Sequence, residues 1–366
     1  MKVLINALGA EMGGALRHLT NLIPALAVAA EDRAQVCIVH SAGTALPRVA
    51  SPRVSFRSVP VKGVLSRLAY DSVVLPLASL WGGFDCLVSV TNFGPIYCPI
   101  PHVIFQRNAL YFCDTPNQDH RKSLDLVLRQ RLVQVIMSNS DCIVVPSAAM
   151  GDLVVRHSPR VSGKVRVLHH AYERPAALTP RVTHEGAYKI IYPVHPGAHK
   201  RFDEVAEVLA ELASRAFDFE FYAPMSRHEW PGVLVYEELV DRLGLTERVH
   251  FVGRLNHEGM TALYRSADAM IYASMCESFG FPLLEGMGEG VPVVAVDTPV
   301  NRELCGECAL FYQPGNVVEA ADKVILACLP QTAGELRMCA WQRLESFPGS
   351  WTDYAERLLE ILEDVA

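Results

Sequence analysis

The stretch Asp268-Ala269-Met270-Ile271-Tyr272-Ala273-Ser274-Met275-Cys276-Glu277-Ser278-Phe279-Gly280-Phe281-Pro282-Leu283-Leu284-Glu285-Gly286 decides how the chain is built. Its start, Asp268–Ser274, is a short apolar run and reads as a buried strand. Glu277 and Glu285 then stand eight positions apart. On one continuous helix they would lie roughly 80° apart, since eight steps of about 100° leave that remainder after two turns. Pro282 argues against one helix. Proline lacks an N–H, fits the first helical turn best and pushes its predecessor out of the α region. Glu277 is therefore expected in a loop, and Glu285 about one turn into a helix. The order is strand, loop with a carboxylate, glycine turn, helix start, second carboxylate. A helix start offers free N–H groups and a positive dipole end, which suit a phosphate. Carboxylates accept hydrogen bonds from hydroxyls. A phosphate between hydroxyl-rich groups describes a nucleotide sugar.

Working outward, the same strand–helix rhythm fills the chain. Its 366 residues, half of them apolar, are enough for two domains with separate cores. Strands are expected at Val3–Leu8, Val36–His40, Val54–Val59, Cys86–Val90, His102–Phe105, Cys142–Pro146 and Val165–His169. After a linker they resume at Lys189–Val194, Asp218–Tyr222, Val249–Gly253, Ala269–Ala273, Val291–Val296 and Leu310–Tyr312. Helical patterns cover Ala15–Ala29, Asp119–Met137, Phe202–Ser214, Leu234–Leu243, His257–Ser266, Pro282–Glu289, Asn316–Leu329 and Trp351–Leu362. Repeated βα units predict doubly wound parallel sheets, an α/β fold of two Rossmann-like domains with a cleft between them. The expected boundaries are a first domain over 1–172, a linker over 173–187, a second domain over 188–345, and a C-terminal helix in 346–366 crossing back to the first. The linker carries Pro175 and Pro180 and no period.

Charge and cysteine usage narrow the setting. Through Tyr172 there are 17 Lys plus Arg against 10 Asp plus Glu, a net of +7; beyond it, 16 against 30 give −14. A basic first half suits an anionic partner or a membrane surface, or is ordinary surface variation. The helix over Asp119–Met137, with Arg121, Lys122, Arg129 and Arg131, has the same two readings. No apolar run approaches the ~20 residues of a membrane span. Met1–Asn6 already reads as a strand, so no leader is expected. Ten cysteines are scattered, and the Cys305-x-x-Cys308 spacing has no second pair at zinc spacing. A disulfide framework is not expected, and the cytoplasm, with contact at the inner face of the membrane, is the expected location. Nothing points to nucleic acid.

Two further loops carry chemistry. After the first strand of the second half comes Pro193-Val194-His195-Pro196-Gly197-Ala198-His199-Lys200-Arg201. A strand end, a glycine turn and cations at a helix start form an anion site. Near the N-terminus, Gly9, Gly13 and Gly14 sit between a strand and a helix, without G-x-G-x-x-G spacing and without a P-loop lysine. That loop is either a tight turn or a backbone approach to a ligand.

The stretch Cys276–Thr298, with Gly290-Val291-Pro292-Val293-Val294-Ala295, resembles the E-x7-E region of the retaining, two-domain GT-B glycosyltransferases of family 4. The resemblance extends through Phe251-Val252-Gly253-Arg254, Leu263-Tyr264, Ala267-Asp268 and Asn301-Arg302-Glu303, and covers about Lys189 to Gly315. It implies that Glu277 binds donor-sugar hydroxyls. Ser278, Phe279 and Gly280 would hold sugar or phosphate, the last two through backbone N–H groups. Glu285 would bind the ribose, and Lys200 the diphosphate. Gly253, Arg254 and Leu255 would lie near the base, and Gly13 and Gly14 near the diphosphate and acceptor. The family commonly has an arginine five or six positions before that lysine. Here the place holds His195 or Val194, a departure that shifts the task to Lys200, Arg201 or Arg254. Many members carry a histidine beside the reacting sugar in the first domain. His102 stands at the wrong end of its strand for this, whereas Arg107 and Asn108 fall at the carboxyl end.

What the resemblance implies is a metal-independent hexosyl- or deoxyhexosyltransferase, without cofactor, acting with retention. The donor would be a nucleotide-diphosphate sugar, and the acceptor a hydroxyl such as that of a lipid-linked glycan. Polysaccharide, lipopolysaccharide or glycolipid synthesis is the expected setting. The catalytic candidates are Glu277, Lys200, Arg107 and Asn108. The alternatives are a GT-B sugar-nucleotide epimerase or phosphorylase, and a non-catalytic donor-binding subunit.

Overall fold

The computed structural model describes residues 1–10, 13–61, 63–113, 124–178 and 186–366. Arg121, Lys122 and residues 179–185 of the expected linker lie outside the described residues, as does part of the glycine loop. The chain divides into two compact units, one within Met1–Glu173 and Pro348–Ala366, the other holding Arg174–Phe347.

The first unit runs β1 (Lys2–Asn6), α1 (Gly13–Ala29), β2 (Gln35–Ser41), β3 (Val54–Val59), α2 (Gly63–Ala69), a π-helical turn (Tyr70–Val74), α3 (Leu75–Trp81), β4 (Cys86–Ser89), β5 (His102–Phe105), α4 (Leu124–Asn139), β6 (Cys142–Val145), α5 (Ala148–His157) and β7 (Val165–Val167). The second runs β8 (Tyr188–Ile191), α6 (Phe202–Ser214), β9 (Phe219–Ala223), α7 (Leu234–Arg242), β10 (Val249–Phe251), α8 (His257–Ser266), β11 (Ala269–Tyr272), α9 (Phe281–Gly288), β12 (Val293–Val296), α10 (Pro299–Cys305), β13 (Leu310–Tyr312), α11 (Val317–Cys328) and α12 (Pro330–Arg343). The chain then returns to the first unit as α13 (Trp351–Val365).

Each unit holds one all-parallel sheet. The first has strand order β3-β2-β1-β4-β5-β6-β7, the second β10-β9-β8-β11-β12-β13. β1 lies between β2 and β4, with Asn6 opposite Val39 and Ser89. β8 lies between β9 and β11, with Ile191 opposite Tyr222 and Met270. Central strands such as β4, β6, β11 and β12 are buried at every position, which is why they read as unbroken apolar runs. In each sheet the order reverses once, at β1/β4 and at β8/β11. The loops leaving those neighbouring strands diverge, opening a crevice above their carboxyl ends.

On one face of the first sheet, Leu19, Leu22 and Leu26 of α1 meet Tyr354, Leu358 and Leu362 of α13 in a common core. Ser350 caps α13, its Oγ accepting from Asp353 N at 3.0 Å. Each leucine buried there stabilises the arrangement by roughly 1.5–3 kcal/mol. On the other face Leu75 of α3 packs with Leu4, Leu8, Val39 and Leu87.

The structure departs from the sequence reading in three respects. α2, α3, α5, α10 and α12 are helices that the apolar period did not delimit. α12 dilutes its apolar residues with Gln331, Thr332 and Gly334, and α3 is apolar on both sides. Second, a disulfide joins Cys308 to Cys339, where none was expected: α12 folds back to bring the two Cα atoms within 5.1 Å across 31 residues. Cys305, its C-x-x-C neighbour, is a buried free thiol that burial pushes up to about 12. Third, the expected strand ends at Leu8, Gly253 and His169 are shortened to Asn6, Phe251 and Val167, so those loops start earlier. Among the described residues no helix is long and apolar enough to cross a membrane.

Candidate functional site

In the second unit the crevice at β8/β11 is lined by the two loops that the sequence singled out. Residues 192–201 follow β8, and residues 273–280 follow β11. The Lys200 Nζ donates to Glu277 Oε1 in a close ion pair, and the Tyr272 hydroxyl donates to the same oxygen at 2.8 Å. Burial pushes the Glu277 carboxyl up, but the charge and hydrogen bond of Lys200 and the Tyr272 hydroxyl overcome this. They hold it below the ordinary carboxylate range.

The loops themselves are fixed. The Tyr192 hydroxyl donates to Lys200 O at 2.6 Å, and Met275 N donates to His199 O at 2.9 Å. The Tyr192 and Tyr272 rings meet edge to face at 5.9 Å. Lys200 ends a short 3-10 turn, and Arg201 follows at φ 50°, ψ 47° as the residue before α6. A left-handed non-glycine residue is costly, of order 1–3 kcal/mol, and persists only where its surroundings enforce it. The enforcing contacts are Arg201 to Asp203 at 3.3 Å and to the buried Glu204 at 3.2 Å. Arg201 is thereby committed to carboxylates of its own helix, and the structure does not bring it to Glu277.

Gly280 supplies the turn that separates the two carboxylates. Its φ is 107°, and a Cβ there would meet the Cδ1 atoms of Leu283 and Leu304, each at 3.3 Å. α9 then starts at Phe281 with Pro282 in its first turn, so Glu277 is in the loop and Glu285 lies in the helix's second turn. Glu285 Oε2 accepts from the Tyr264 hydroxyl at 3.0 Å. Phe279 is buried, its ring 5.3 Å from that of Phe281, so it can meet a ligand through its backbone only. Ser278 is half-buried beside Glu277.

The remaining candidates of this unit sit at neighbouring strand ends. Gly253, at φ 75°, Arg254 and Leu255 follow β10, and Arg254 N donates to Glu229 Oε2 at 2.8 Å. The His195 ring lies 5.1 Å from that of Trp230. Burial lowers the His195 pKa, and the charges of Lys200 and Arg254 lower it further, so the imidazole is neutral at pH 7. His199 behaves alike, through burial and Lys200.

In the first unit the sequence candidates make local contacts. Gly13 and Gly14 open α1, and the Gly14 carbonyl accepts from Arg107 Nη2 at 3.1 Å. Arg107 is half-buried; burial lowers its pKa to about 10, and its charge acts on His18 and His170. Asn108 Oδ1 accepts from Leu110 N at 3.1 Å, capping a 3-10 turn. Both backbone N–H groups donate to Asn92 Oδ1, at 2.7 and 3.0 Å. His102 is buried between the Ser89 and Ser140 hydroxyls.

Sequence reading missed the group at the β1/β4 crevice. The Arg67 guanidinium lies against Gly9, where a Cβ would come within 1.9 Å of its Nη1. It donates to Thr91 Oγ1 at 2.8 Å and to the buried Asp71 at 3.4 Å, which also accepts from Asn6 Nδ2 at 3.0 Å. No sequence motif ties Asn6, Arg67, Asp71 and Thr91 together. The available signal was Asn6 and Asp71, polar residues within otherwise apolar runs. Tyr272 and Tyr264 likewise carry no site role in the sequence reading, because a hydroxyl's direction is invisible in sequence.

Known proteins share parts of this arrangement. Residues 183–337 match the sequence family described as Glycosyl transferases group 1. A Salmonella typhimurium protein named O-antigen chain mannosyltransferase RfbU is 33% identical over 78 residues, 21% of this chain and 22% of that one. A Mycolicibacterium hassiacum MMP alpha-(1->4)-mannosyltransferase is 34% identical over 104 residues, 28% of this chain and 25% of that one. The alignments thus span about a quarter or less of those relatives' lengths. Solved structures align over nearly the whole chain. A sucrose-phosphate synthase from Thermosynechococcus elongatus superposes with TM-score 0.75 at 15% identity, covering 100% of this chain and 98% of that one. Anabaena Alr3699/HepE in complex with UDP and glucose does so with TM-score 0.71 at 17% identity, covering 99% of each. The two parallel-sheet Rossmann-like units therefore form the GT-B fold of glycosyltransferases.

Proposed function

We propose that the chain is a glycosyltransferase that moves a hexosyl or deoxyhexosyl group from a nucleotide-diphosphate sugar to a hydroxyl acceptor. The reading includes retention at the anomeric carbon and a place in polysaccharide, lipopolysaccharide or glycolipid assembly. The observation that carries it is the Lys200–Glu277 pair, set at the strand-order reversal of the second sheet beside the start of α9. A diphosphate meets the Lys200 ammonium and the free N–H groups of α9. Sugar hydroxyls donate to Glu277, and ribose hydroxyls to Glu285. In the free protein the ammonium and carboxylate neutralise each other; a bound donor supplies each with a second partner.

As the glycosidic bond loosens, negative charge grows on the leaving diphosphate. Lys200 and the α9 N–H groups stabilise that charge from fixed positions. A cation of the chain's own takes the part that a divalent metal plays elsewhere, so the reaction is proposed to be metal-independent. Matched relatives named as mannosyltransferases support a sugar donor. The acceptor class we assign is a hydroxyl of a lipid-linked or growing glycan.

Thermal shift with UDP, GDP, ADP and dTDP sugars tests the donor class. Saturation at a hundred times Kd adds ~2.7 kcal/mol of stability. Glu277→Ala is expected to leave the fold intact and remove most turnover, and near-normal turnover would sink its donor role. Loss of activity in EDTA that Mg²⁺ restores would refute metal independence.

A further inference from the structure

Tyr70–Trp81, the π-helical turn and α3, is apolar on the side that faces water. Its one charged residue, Asp71, points inward to Asn6 and Arg67. Asp71, Leu75, Pro76 and Ser79 form the buried stripe. At about 100° per residue, Val73, Val74, Leu77, Leu80 and Trp81 fall on the opposite side. All five are exposed, Trp81 to 79%. A surface helix of a globular protein turns polar residues outward, and this one turns none.

The apolar face continues beyond the helix. Cys98 Sγ lies 4.0 Å from Ser79 Oγ, which sets the exposed Ile96 and Tyr97 beside α3, Tyr97 at 71% exposure. Asn139 Nδ2 at the end of α4 donates to Ile96 O at 2.9 Å. α4 then presents Leu128, Arg131 and Val135 outward at i, i+3 and i+7. Lys164 joins the same end, donating to the carbonyls of Ser138 and Ser140 at 2.9 and 2.7 Å. The result is an apolar face with Trp and Tyr on it and cations along one side, within the half of the sequence that carries net +7.

We propose that this face docks on an anionic lipid bilayer, with α3 lying in the plane of the interface. Tryptophan and tyrosine favour the headgroup level, and an apolar helix face with flanking cations binds there. Anionic headgroups neutralise Arg131 and Lys164. A second copy of the same face would bring like charges together instead. The proposal stands apart from glycosyl transfer and needs no activity to test.

Flotation of the full chain with vesicles of equimolar phosphatidylethanolamine and phosphatidylglycerol is the experiment, with phosphatidylcholine vesicles as the comparison. The chain is expected to float with the anionic vesicles, less so at high salt as the Debye length shrinks. The Leu77→Ser/Trp81→Ser double variant is expected to partition at least ~10-fold less, from the lost apolar burial, with unchanged thermal unfolding because both side chains face solvent. Brominated acyl chains are expected to quench tryptophan emission in the native chain and much less in Trp81→Phe. Three results would each overturn the proposal. They are a chain that stays with the free protein at low salt, a double variant that floats as well as the native chain, and a dimer by light scattering that the double variant dissolves.

Discussion

Lowering the pH from 7.5 to 5.5 should strip several kcal/mol from the first unit. Three of its histidines are fully enclosed: His18, His102 and His170 are exposed by 2, 2 and 3%. His102 is held near a pKa of about 3 by burial alone. Burial also takes His18 and His170 well below the ordinary imidazole range, and the Arg107 charge pushes both further down. Their lowered values mean that the unfolded chain binds protons at pH 5.5 which the folded chain refuses. Stability is therefore complete above the unfolded value of about 6.5 and falls as pH drops below it. At pH 5.5 each site is about one unit below that value, a loss of about 1.4 kcal/mol, and three sites give about 4 kcal/mol. Asp71, whose carboxyl burial raises, titrates in the opposite sense and trims the slope slightly. Urea unfolding at the two pH values, followed by hydrogen exchange of peptides from β4 to β6, reads the first unit separately from the second. His102→Asn should remove about a third of the pH dependence. A first unit equally stable at both pH values, within ~1 kcal/mol, would refute the assignment of three neutral buried imidazoles.

Other consequences concern the second unit. Glu277 contributes its share of stability above the unfolded carboxylate value near 4.3, and loses it as pH falls through its depressed folded value. Lys200→Met should therefore weaken acid resistance and donor affinity together, measured by thermal shift. Tyr272→Phe removes one charge-assisted hydrogen bond, worth about 1.5–3 kcal/mol, and should raise the Glu277 pKa and lower donor affinity; unchanged affinity would place the hydroxyl outside the site. Gly280→Ala forces a side chain into φ 107° against Leu283 and Leu304 and should cost ~1–3 kcal/mol in calorimetry. Cys308→Ser opens a 31-residue loop and should cost about 3–4 kcal/mol by the chain-entropy relation, while an equal midpoint with and without reductant would show that the bridge does not form in solution.

Much of the fold was legible because buried parallel strands leave unbroken apolar runs. His102–Phe105, buried at every position, is a strand at the residues its composition indicates. Pro282 likewise announced the start of α9, since its chemistry permits few other positions. Of the candidate site, the sequence singled out the two loops whose Lys200 and Glu277 the structure pairs. The rest was not legible where a side chain's task depends on direction. Arg107 and Asn108 stand at the carboxyl end of their strand, where one guanidinium donates to the Gly14 carbonyl and the other side chain caps a turn. Arg201 follows Lys200 directly, yet its left-handed backbone delivers it to Asp203 and Glu204. Asn92, which holds two backbone N–H groups, has no neighbours in sequence that reveal it.

The return of α13 to the first unit also has a meaning in time. Tyr354, Leu358 and Leu362 complete the first core, but a ribosome makes them only after all of 174–347. At roughly 5–20 residues per second, the first sheet waits on the order of ten to forty seconds for its covering helix. Meanwhile the second unit receives its whole chain. The unit that begins first is thus finished last, and in that interval Leu19, Leu22 and Leu26 of α1 lack their partners. Chaperone dependence of the nascent chain should be concentrated on that face.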